Sequence, residues 1–357
     1  MQQLTCVGPG KVEWIDVPEP ALQGPDEALV RPLTTSRCAI DPILMAVGPS
    51  GRGEGAGFAL GHEGVAEVLA VGSGVTGFSV GQIVVPAFQV SCGRCARCSV
   101  GHTAVCESYP VLSDYGMQPL SGVEYGGMLS DVVRVPHADA MLHLVPPGLT
   151  PVELAGVADN VADGHRGVAP HLAEQPGADV LVACHGNHGI GLFAAQSALA
   201  LGAGRVTFAS DDEDALAIAA RVGAVPLRTD FGRRDGRFPI VVDCGLRAEG
   251  LQYAVASTEP EGVCHSVSGY VDSSGPEFAL PFFKMYTLGI RFLIGRLHAT
   301  AVIPKVLDLI AAGRLRPADV TTSLVAWDDA ADRYADPTIK LVVARDEAHN
   351  QVEAPTP

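Results

Sequence analysis

The sequence predicts an α/β protein with two parts, a β-rich domain followed by a doubly wound parallel sheet. Short Val-rich runs broken by Gly and Pro fill residues 1–150, which is typical of strands and turns in a bent, barrel-like domain. From residue 151 continuous apolar runs alternate with helical patterns, and this alternation indicates βαβ units. A chain of 357 residues that is 47% hydrophobic can bury the cores of about two such domains.

Each predicted element has its own pattern. The β-rich part contains the runs EALVRPLTT, EGVAEVLAVGSGV, GQIVVPAFQV and LSDVVRVP. The second part continues with ADVLVAC, GLFAAQSALALGA, RVTFAS, DEDALAIAARVGA and FPIVVDC, which predict strand, helix, strand, helix and strand. The later run TAVIPKVLDLIAAGRLRPADV predicts an amphipathic helix that ends at Gly313.

The charge balance excludes one class of function. Acidic residues outnumber basic ones by 40 to 24, whereas binding to nucleic acid needs clustered Lys and Arg. The first residues lack the basic and apolar regions of a signal peptide, and the chain has no uncharged apolar stretch of about 18 residues. We therefore expect a cytoplasmic protein that binds neither nucleic acid nor membranes, with nine cysteines that are metal ligands or reduced core thiols.

A cysteine cluster carries the strongest local pattern. The run CGRCARCSVGHTAVC has the spacing C-x2-C-x2-C-x7-C, with its cysteines at Cys92, Cys95, Cys98 and Cys106. Short spacers let one loop surround a tetrahedral ion, and four thiolates close its coordination shell, so the pattern predicts a structural zinc site. A four-iron cluster also uses four cysteines but has other usual spacings, and two disulfides or unrelated thiols are the remaining alternative. His102, inside the loop, is expected to be exposed.

Together with this cluster, the run GHEGVAEVLAVGSGV at 61–75 resembles the zinc-dependent medium-chain dehydrogenase/reductase superfamily, the alcohol dehydrogenase-like proteins. The family signature G-H-E-x2-G-x5-G-x2-V is matched at Gly61, His62, Glu63, Gly72 and Val75, whereas Ala66 replaces one glycine. The resemblance implies a GroES-like catalytic domain at 1–150, a Rossmann domain at 151–295, a return to the catalytic domain at 296–347 and a tail at 348–357. It also implies a homodimer or homotetramer.

The resemblance further implies a catalytic zinc held by Cys38, His62 and Asp159, a ligand set similar to that of bacterial secondary-alcohol dehydrogenases. Three protein ligands leave a fourth position for water or substrate. Sulfur, nitrogen and oxygen donors also suit other divalent metals. Glu63 is expected to approach the metal or to pair with Lys340. Taken singly, a core thiol, a structural histidine and a helix N-cap at Asp159 are the ordinary alternatives.

Two neighbours of Cys38 extend this interpretation. Asp41 matches the family aspartate that accepts a hydrogen bond from the histidine ligand and orients its ring. Ile40 stands where the family usually has Ser or Thr, whose hydroxyl bonds the substrate oxygen and passes its proton to solvent. The proton must therefore leave by water, by Ser36 or by His165, or else the usual alcohol is not the substrate.

The run VLVACHGNHGIGLFAAQ follows a predicted strand and opens a helix, which is the context of a dinucleotide-binding turn. Such a turn lets the backbone approach a pyrophosphate at the helix N-terminus. The pattern is imperfect, because His188 replaces the second glycine between Gly186 and Gly191. His188 is therefore expected to contact the phosphates or to displace them. The predicted cofactor contacts in this loop are Gly186, His188, Gly189, Ile190 and Gly191.

The next predicted strand ends in Ser210, Asp211 and Asp212, where the ribose-binding acid is expected. A carboxylate there accepts from ribose hydroxyls and repels a 2′-phosphate, and no Arg is expected near the end of this strand. These features favour NAD over NADP. The alternative is that both acids are solvated or cap the next helix. By resemblance, Arg296 and His298 lie near the cofactor.

The resemblance implies two zinc ions and NAD, with a small alcohol or carbonyl compound as substrate. The leading hypothesis is hydride transfer between the nicotinamide and a secondary alcohol, a polyol-like hydroxyl or the matching ketone. Ile40 raises the alternative of a reductase for an activated C=C bond or a biosynthetic ketone. Ile40 and His188 together raise that of a non-catalytic cofactor-binding homologue. Tyr115, Met117 and Tyr125 are candidate pocket residues.

Overall fold

The computed structural model describes residues 1–49, 57–120, 123, 125–270 and 279–353. The chain divides into two compact units. Unit 1 comprises Met1–Asp159, His298–Ala311 and Thr321–Pro357, and unit 2 comprises Asn160–Leu297 and Ala312–Val320. Of the tail expected at 348–357, residues 354–357 lie outside the described residues.

The first part of unit 1 consists mainly of short strands. In chain order its elements are β1 (Gln2–Gly8), β2 (Lys11–Asp16), β3 (Ala28–Ser36), α1 (Ile40–Val47), β4 (Phe58–Ala59), β5 (Glu63–Val71), β6 (Ile83–Pro86), α2 (Ala96–Ser99), β7 (Val133–Val135), α3 (Ala138–Met141) and β8 (Leu142–Leu144). The four Val-rich runs of the sequence correspond to β3, β5, β6 and β7.

Unit 2 alternates helices with strands. Its elements are α4 (Ala162–Glu174), β9 (Val180–Ala183), α5 (His188–Ala200), β10 (Val206–Ser210), α6 (Glu213–Arg221), β11 (Val225–Arg228), β12 (Phe238–Asp243), α7 (Ala248–Ala256), β13 (Thr258–Ser266), α8 (Phe282–Leu288) and β14 (Arg291–Ile294).

The chain then returns to unit 1. The returning elements are α9 (Ala299–Ala311), β15 (Ser323–Ala326), α10 (Ala330–Arg333) and β16 (Leu341–Ala344). Gly313, the expected end of α9, has a φ of 67°, a left-handed conformation that glycine adopts without strain.

The described residues of unit 1 form two sheets. One has the order β2-β1-β4, and the other has the order β15-β16-β3-β5-β6-β8, with β7 paired to β3 outside that path. Strand β16 pairs antiparallel with β3, so that Val342 lies opposite Ser36. The last strand of the chain therefore lies beside the end of β3, where the segment containing Cys38 begins. The core between the strands includes Val30, Val68, Val84 and Met141.

Unit 2 contains one six-stranded sheet in the order β11-β10-β9-β12-β13-β14. All five strand pairs are parallel. The order runs outward from β9 on one side and from β12 on the other, so the direction of winding reverses between these two strands. Ligands of such sheets bind at this reversal, beyond the carboxyl ends of the strands. The predicted doubly wound sheet is confirmed.

The compact units differ from the predicted domain division at three places. Unit 2 begins at Asn160, and its first segment ends at Leu297 and not at residue 295. The short segment Ala312–Val320 also belongs to unit 2, although 296–347 was expected to return to the first domain as a whole. Hydrogen bonds explain this last difference. Gln196 Nε2 donates to Arg316 O (2.9 Å), and Arg221 Nη2 donates to Asp319 O (2.6 Å). These bonds tie the segment after α9 to helices α5 and α6.

Four cysteines outside the predicted metal sites are core residues, as expected. They are fully buried in the two units, and their positions are Cys6, Cys184, Cys244 and Cys264. No helix among the described residues is long and apolar enough to cross a membrane.

Candidate active site

Three candidate metal ligands converge in unit 1. Cys38 follows β3, His62 precedes β5, and Asp159 lies in a π-helical turn at Val157–Val161. Strands β3 and β5 pair antiparallel with Ser36 opposite Glu63, which brings the first two ligands together. One donor atom from each of the three side chains lies within 4.8 Å of the others, and all three residues are buried.

Carboxylates lie on both sides of the His62 ring, with a hydrogen bond at Nε2 and a close ion-pair contact at Nδ1. Nε2 lies 3.2 Å from Asp159 Oδ2, and Nδ1 lies 3.3 Å from Asp41 Oδ1. The other oxygen of Asp41 accepts from Cys38 N (2.8 Å) and from the hydroxyl of Tyr334 (3.2 Å). The ring thus presents one nitrogen to the candidate ligands and the other to Asp41, the position predicted for the orienting aspartate.

The donor types of this site suit a cation, although its electrostatics favour the protonated thiol and imidazole. Burial, reinforced by the nearby carboxylate of Asp159, raises the pKa of the Cys38 thiol to about 11. Burial opposes the charged form of His62, but Asp41 and Asp159 hold its pKa well above the usual value. Burial likewise opposes the ionised form of Asp159, but His62 lowers its pKa. A thiol, an imidazole and a carboxylate enclosed together form the donor set of a zinc site, so these residues fit the ion.

Glu63 pairs with Lys340, one of the two alternatives stated for it. Lys340 Nζ donates to Glu63 Oε1 and also to Arg37 O, at 3.2 Å. Both side chains are almost fully buried, with exposed fractions of 1% for Lys340 and 0% for Glu63. Because β16 lies against β3, Lys340, which directly precedes β16, reaches the residue that follows His62. The pair balances the glutamate charge beside the candidate metal site.

Near Cys38, Ile40 is the first residue of α1 and offers no hydroxyl. Ser36 and His165 are the side chains expected to carry the proton in place of a hydroxyl at position 40. Ser36 is buried, and its hydroxyl donates to Leu341 O (3.4 Å). His165 belongs to α4 in unit 2. The hydroxyl of Ser36 is therefore engaged with the backbone of β16.

The second cluster consists of the four cysteines Cys92, Cys95, Cys98 and Cys106, whose Sγ atoms lie within 4.8 Å of one another. Backbone N–H groups donate to these sulfurs, for example Cys98 N to Cys95 Sγ at 3.4 Å. Burial raises the pKa of Cys92, but hydrogen bonds from Ser108 and from backbone amides lower it to about 6. All nine cysteines are free of disulfides. The arrangement suits four thiolates around one ion.

Two histidines flank this cluster. His102 is exposed, as expected, and its ring stacks on that of His298 with centroids 5.2 Å apart. His298 Nδ1 accepts from Ala104 N (3.1 Å). The structure therefore places His298 against the cysteine loop, at the start of the segment that returns to unit 1. Its expected position near the cofactor stays a prediction.

In unit 2, the glycine-rich turn connects β9 to α5. Gly186 has a φ of 114°, a conformation that L side chains rarely adopt. A Cβ added to Gly191 would lie 2.8 Å from Cys184 Sγ, so this glycine allows the helix to approach the strand. Asn187 Oδ1 and His185 Nδ1 are buried without a hydrogen-bond partner within the described part of the chain. Orphaned polar atoms beside a helix N-terminus suit a polar ligand such as a dinucleotide.

His188 is the first residue of α5, and its imidazole is directed toward the end of β10. Nε2 lies 3.4 Å from Ser210 Oγ, and Nδ1 lies 3.9 Å from Asp212 Oδ2. Burial lowers the pKa of His188 and that of His185. The side chain that replaces the second glycine thus lies beside the expected ribose contacts.

The two acids after β10 differ in their surroundings. Asp212 caps α6, because its Oδ1 accepts from Ala215 N at 2.8 Å. Asp211 has a side chain that is 46% exposed, with Oδ2 3.6 Å from His185 Nε2. Asp211 is therefore the carboxylate that is more open to a ribose. The alternative role, a helix N-cap, applies to Asp212.

Two arginines lie near the end of β10 in the folded chain, so the prediction that no Arg lies there is wrong. Strand β11 places Arg228 directly opposite Ser210, where its guanidinium pairs with Glu213. Arg247 Nη1 also lies 3.4 Å from His185 Nε2. Sequence distance concealed both cations, because neighbouring parallel strands are joined through an intervening helix.

The candidate pocket residues Tyr115, Met117 and Tyr125 have different surroundings. Tyr115 is fully buried in the core of unit 1, and its hydroxyl donates to Arg134 O (2.8 Å). Met117 is also buried, whereas Tyr125 lines a surface cavity of unit 1 with Gln3. The prediction that Tyr115 lines a substrate pocket is therefore wrong, since its ring fills the core.

Arg296, a predicted cofactor contact, lies after β14, near the end of the first segment of unit 2.

Comparisons with known proteins agree with this architecture. Residues 24–147 match the family model described as an alcohol dehydrogenase GroES-like domain. A glutathione-independent formaldehyde dehydrogenase of Pseudomonas aeruginosa is 33% identical over 92% of this chain and 93% of its own length. An alcohol dehydrogenase of Cupriavidus necator is 31% identical over 94% of each chain. The chain belongs to the zinc-dependent medium-chain dehydrogenase/reductase superfamily. The solved structure of an alcohol dehydrogenase from Thermus sp. ATN1 superposes with a TM-score of 0.83 and 26% identity, covering 97% of this chain and 100% of that one.

Membership of the medium-chain dehydrogenase/reductase superfamily confirms the recognised family and the fold class, a GroES-like domain with a Rossmann sheet. Its named members support an oxidoreductase of the zinc-binding alcohol dehydrogenase type.

Sequence reasoning missed two polar groups. Asp243 ends β12 and accepts from the hydroxyls of Ser266 (2.6 Å) and Tyr270 (2.7 Å). An acid at the end of an apolar strand was a usable signal for Asp243, whereas Tyr334, which contacts Asp41, had none.

Proposed function

We propose that this protein is a zinc-dependent oxidoreductase that transfers a hydride between a nicotinamide and a secondary alcohol, a polyol-like hydroxyl or the corresponding ketone. The observation that carries the proposal is the buried convergence of Cys38, His62 and Asp159 within 4.8 Å. Its support from unit 2 is a glycine turn at the edge where doubly wound sheets bind dinucleotides.

Each part of the chain has a defined task in this proposal. When bound, zinc supplies Lewis acidity and the nicotinamide supplies the hydride-accepting carbon. Cys38, His62 and Asp159 hold the ion, and Asp41 orients the histidine. Lys340 balances the charge of Glu63, so that this glutamate does not compete as an unpaired anion.

Two zinc ions per chain are proposed, one at each cluster of candidate ligands. Total zinc measured by plasma mass spectrometry should be near two per chain. Cys38→Ala should lose one ion together with turnover, because one of three ligands to that ion is gone. The matched control is Cys6→Ala, a buried thiol at which no metal is proposed, and this variant should keep both ions. Unchanged activity in Cys38→Ala would contradict the assignment.

NAD is the proposed cofactor because Asp211 offers a half-exposed carboxylate to ribose hydroxyls. Arg228 and Arg247 favour NADP instead, because their positive charges attract a 2′-phosphate. Parallel assays with NAD and NADP decide between them, and Asp211→Ala should weaken NAD binding more than NADP binding. A preference of the unaltered protein for NADP would overturn this part of the proposal.

The substrate is tested with a panel of alcohols and ketones followed by nicotinamide absorbance. Formaldehyde belongs in the panel, because the relative that is 33% identical is a formaldehyde dehydrogenase. Ile40 supports a second candidate, a reductase of an activated C=C bond or a biosynthetic ketone, since no hydroxyl at this position relays the alcohol proton. A saturated carbonyl product from an enone would favour this candidate. Failure to bind either nicotinamide in a fluorescence titration would favour a non-catalytic homologue.

A homodimer or homotetramer is also proposed. Strand β14 is an edge of the unit 2 sheet and exposes Leu293 and Ile294, while α8 exposes Phe282, Phe283 and Tyr286. Exposed apolar side chains next to a free strand edge are typical of an association surface. Light scattering after gel filtration should show an oligomer, and Phe283→Glu should lower the mass of that oligomer.

A location in the reducing cytoplasm is proposed as well, because all nine cysteines are free thiols.

A further inference from the structure

Residues 334–340 contact both stretches that carry ligands of the proposed catalytic site. Arg37, which precedes Cys38, donates to Tyr334 O (2.5 Å) and to Thr338 O (3.1 Å). Lys340 donates to Arg37 O and pairs with Glu63, the residue after His62. Residues 334–340 thus hold the backbone beside both candidate ligands. The two bonds from Arg37 span 297 and 301 positions of the sequence.

Tyr334 makes the most specific contact of this segment. Its side chain is fully buried, and its hydroxyl donates to Asp41 Oδ2 at 3.2 Å. The same oxygen accepts from Cys38 N at 2.8 Å, while Asp41 Oδ1 faces His62 Nδ1 at 3.3 Å. Two donors on one oxygen fix the rotation of the carboxylate, and this rotation places the second oxygen beside the imidazole.

We infer that Tyr334 is a positioning residue of the metal site. Its hydroxyl holds Asp41, and Asp41 in turn holds the His62 ring with Nε2 toward Cys38 and Asp159. The inference rests on the proposed function for the identity of the bound ion. Outer partners of a metal-ligating histidine change metal affinity by about 10- to 100-fold. Tyr334 acts through Asp41, which keeps its bond from Cys38 N, so the lower end of that range, about 10-fold, is expected.

The test compares Tyr334→Phe with Tyr253→Phe. Tyr253 is a matched control, because it is buried and its hydroxyl also donates to a carboxylate, Asp235 Oδ2, at 3.1 Å, but within unit 2. Zinc affinity is measured by competition with a chromophoric chelator, and the ion that Cys38→Ser lacks is assigned to the catalytic site. Tyr334→Phe should bind that ion about 10-fold more weakly, and the affinity of Tyr253→Phe should equal that of the unaltered protein.

A spectroscopic readout separates positioning from general packing. After replacement of zinc by Co²⁺, the difference spectrum between the unaltered protein and Cys38→Ser reports the catalytic site alone. Tyr334→Phe should shift these bands because the imidazole is no longer held in one orientation, whereas Tyr253→Phe should leave them in place. Equal affinities and superimposable Co²⁺ spectra in the two phenylalanine variants would overturn the inference.

A double-mutant cycle with Asp41 keeps the inference testable even if Tyr334→Phe lowers stability. If Tyr334 acts through Asp41, then adding Tyr334→Phe to Asp41→Asn should change the zinc affinity by much less than 10-fold. An undiminished effect in the Asp41→Asn background would refute that route. A failure of the proposed function is distinguishable, because the unaltered protein would then already lack the ion assigned through Cys38→Ser.

Discussion

The buried pair of Lys340 and Glu63 yields a quantitative prediction for stability. Lys340→Met keeps most of the apolar stem but leaves the glutamate, whose exposed fraction is 0%, without its lysine. Removing one partner of a buried ion pair costs about 3–5 kcal/mol, because a charge remains in a medium that solvates it poorly. Lys340 also loses its bond to Arg37 O, which adds to the effect in the same direction. We therefore expect unit 1 to be destabilised by about 3–5 kcal/mol.

The protein offers a local probe for this measurement. Both of its tryptophans, Trp14 and Trp327, lie in unit 1 with ring centroids 5.9 Å apart. Their fluorescence during urea unfolding therefore reports unit 1 without a tryptophan signal from unit 2. The titration is carried out with and without a chelator, so that metal binding does not mask the change in the free energy of unfolding.

Two further variants decide whether the ion pair causes the loss. Lys305→Met removes an exposed lysine of α9 and should change stability by less than about 0.5 kcal/mol. Combining Lys340→Met with Glu63→Gln removes both charges and should recover most of the lost stability. The reasoning is refuted if Lys340→Met costs no more than Lys305→Met, or if the double variant is less stable than Lys340→Met alone.

Three other perturbations test separate parts of the structure. Burial lowers the pKa of His265 to about 3 and also lowers that of His171. The neutral imidazoles therefore stabilise unit 2 above pH ~6.5, and this stabilisation is lost as the pH falls toward 3. At pH 5 the loss from His265 alone is about 2 kcal/mol. Hydrogen exchange of β13 peptides should therefore rise with acid, and a His265→Gln variant with the same acid sensitivity would contradict this origin. Cys98→Ser should lose the structural ion and expose the loop to proteolysis, and a variant that retains both zinc ions would show that the four thiols are not its ligands. Gly64→Ala would place a Cβ 2.1 Å from a carbonyl oxygen of β3 and should lower the free energy of unfolding by about 1–3 kcal/mol or more. The control is Gly8→Ala, whose Cβ meets only an ordinary contact at 3.9 Å. Equal thermal midpoints of the two variants would argue against this packing.

Local patterns in the sequence predicted much of the architecture. The four cysteines lie in one short loop, so their spacing alone indicated that their sulfurs meet. The alternation of apolar strands with helices indicated the parallel sheet, because each βαβ unit is built from consecutive residues. Cys38, His62 and Asp159 are far apart in sequence, and their grouping was predicted through the family resemblance rather than from periodicity.

Other features depended on contacts between distant residues. The acids after β10 looked equivalent in sequence, but the start of α6 takes Asp212 as its cap and leaves Asp211 more open. Arg228 stands beside Ser210 only because β11 pairs in register with β10. No local pattern distinguished these outcomes, since each depends on which strand or helix end becomes the neighbour.

The sequence by itself therefore determined the family and the two kinds of domain, and it predicted the candidate ligands, because these follow from short patterns of residues. The tertiary structure alone decided how the candidate ligands are oriented. Tyr334 reaches Asp41 across 293 positions, and Lys340 reaches Glu63 across 277. Both contacts exist because β16 pairs with β3, and the energy of such buried polar contacts depends on complete removal from water, which only the packed chain provides.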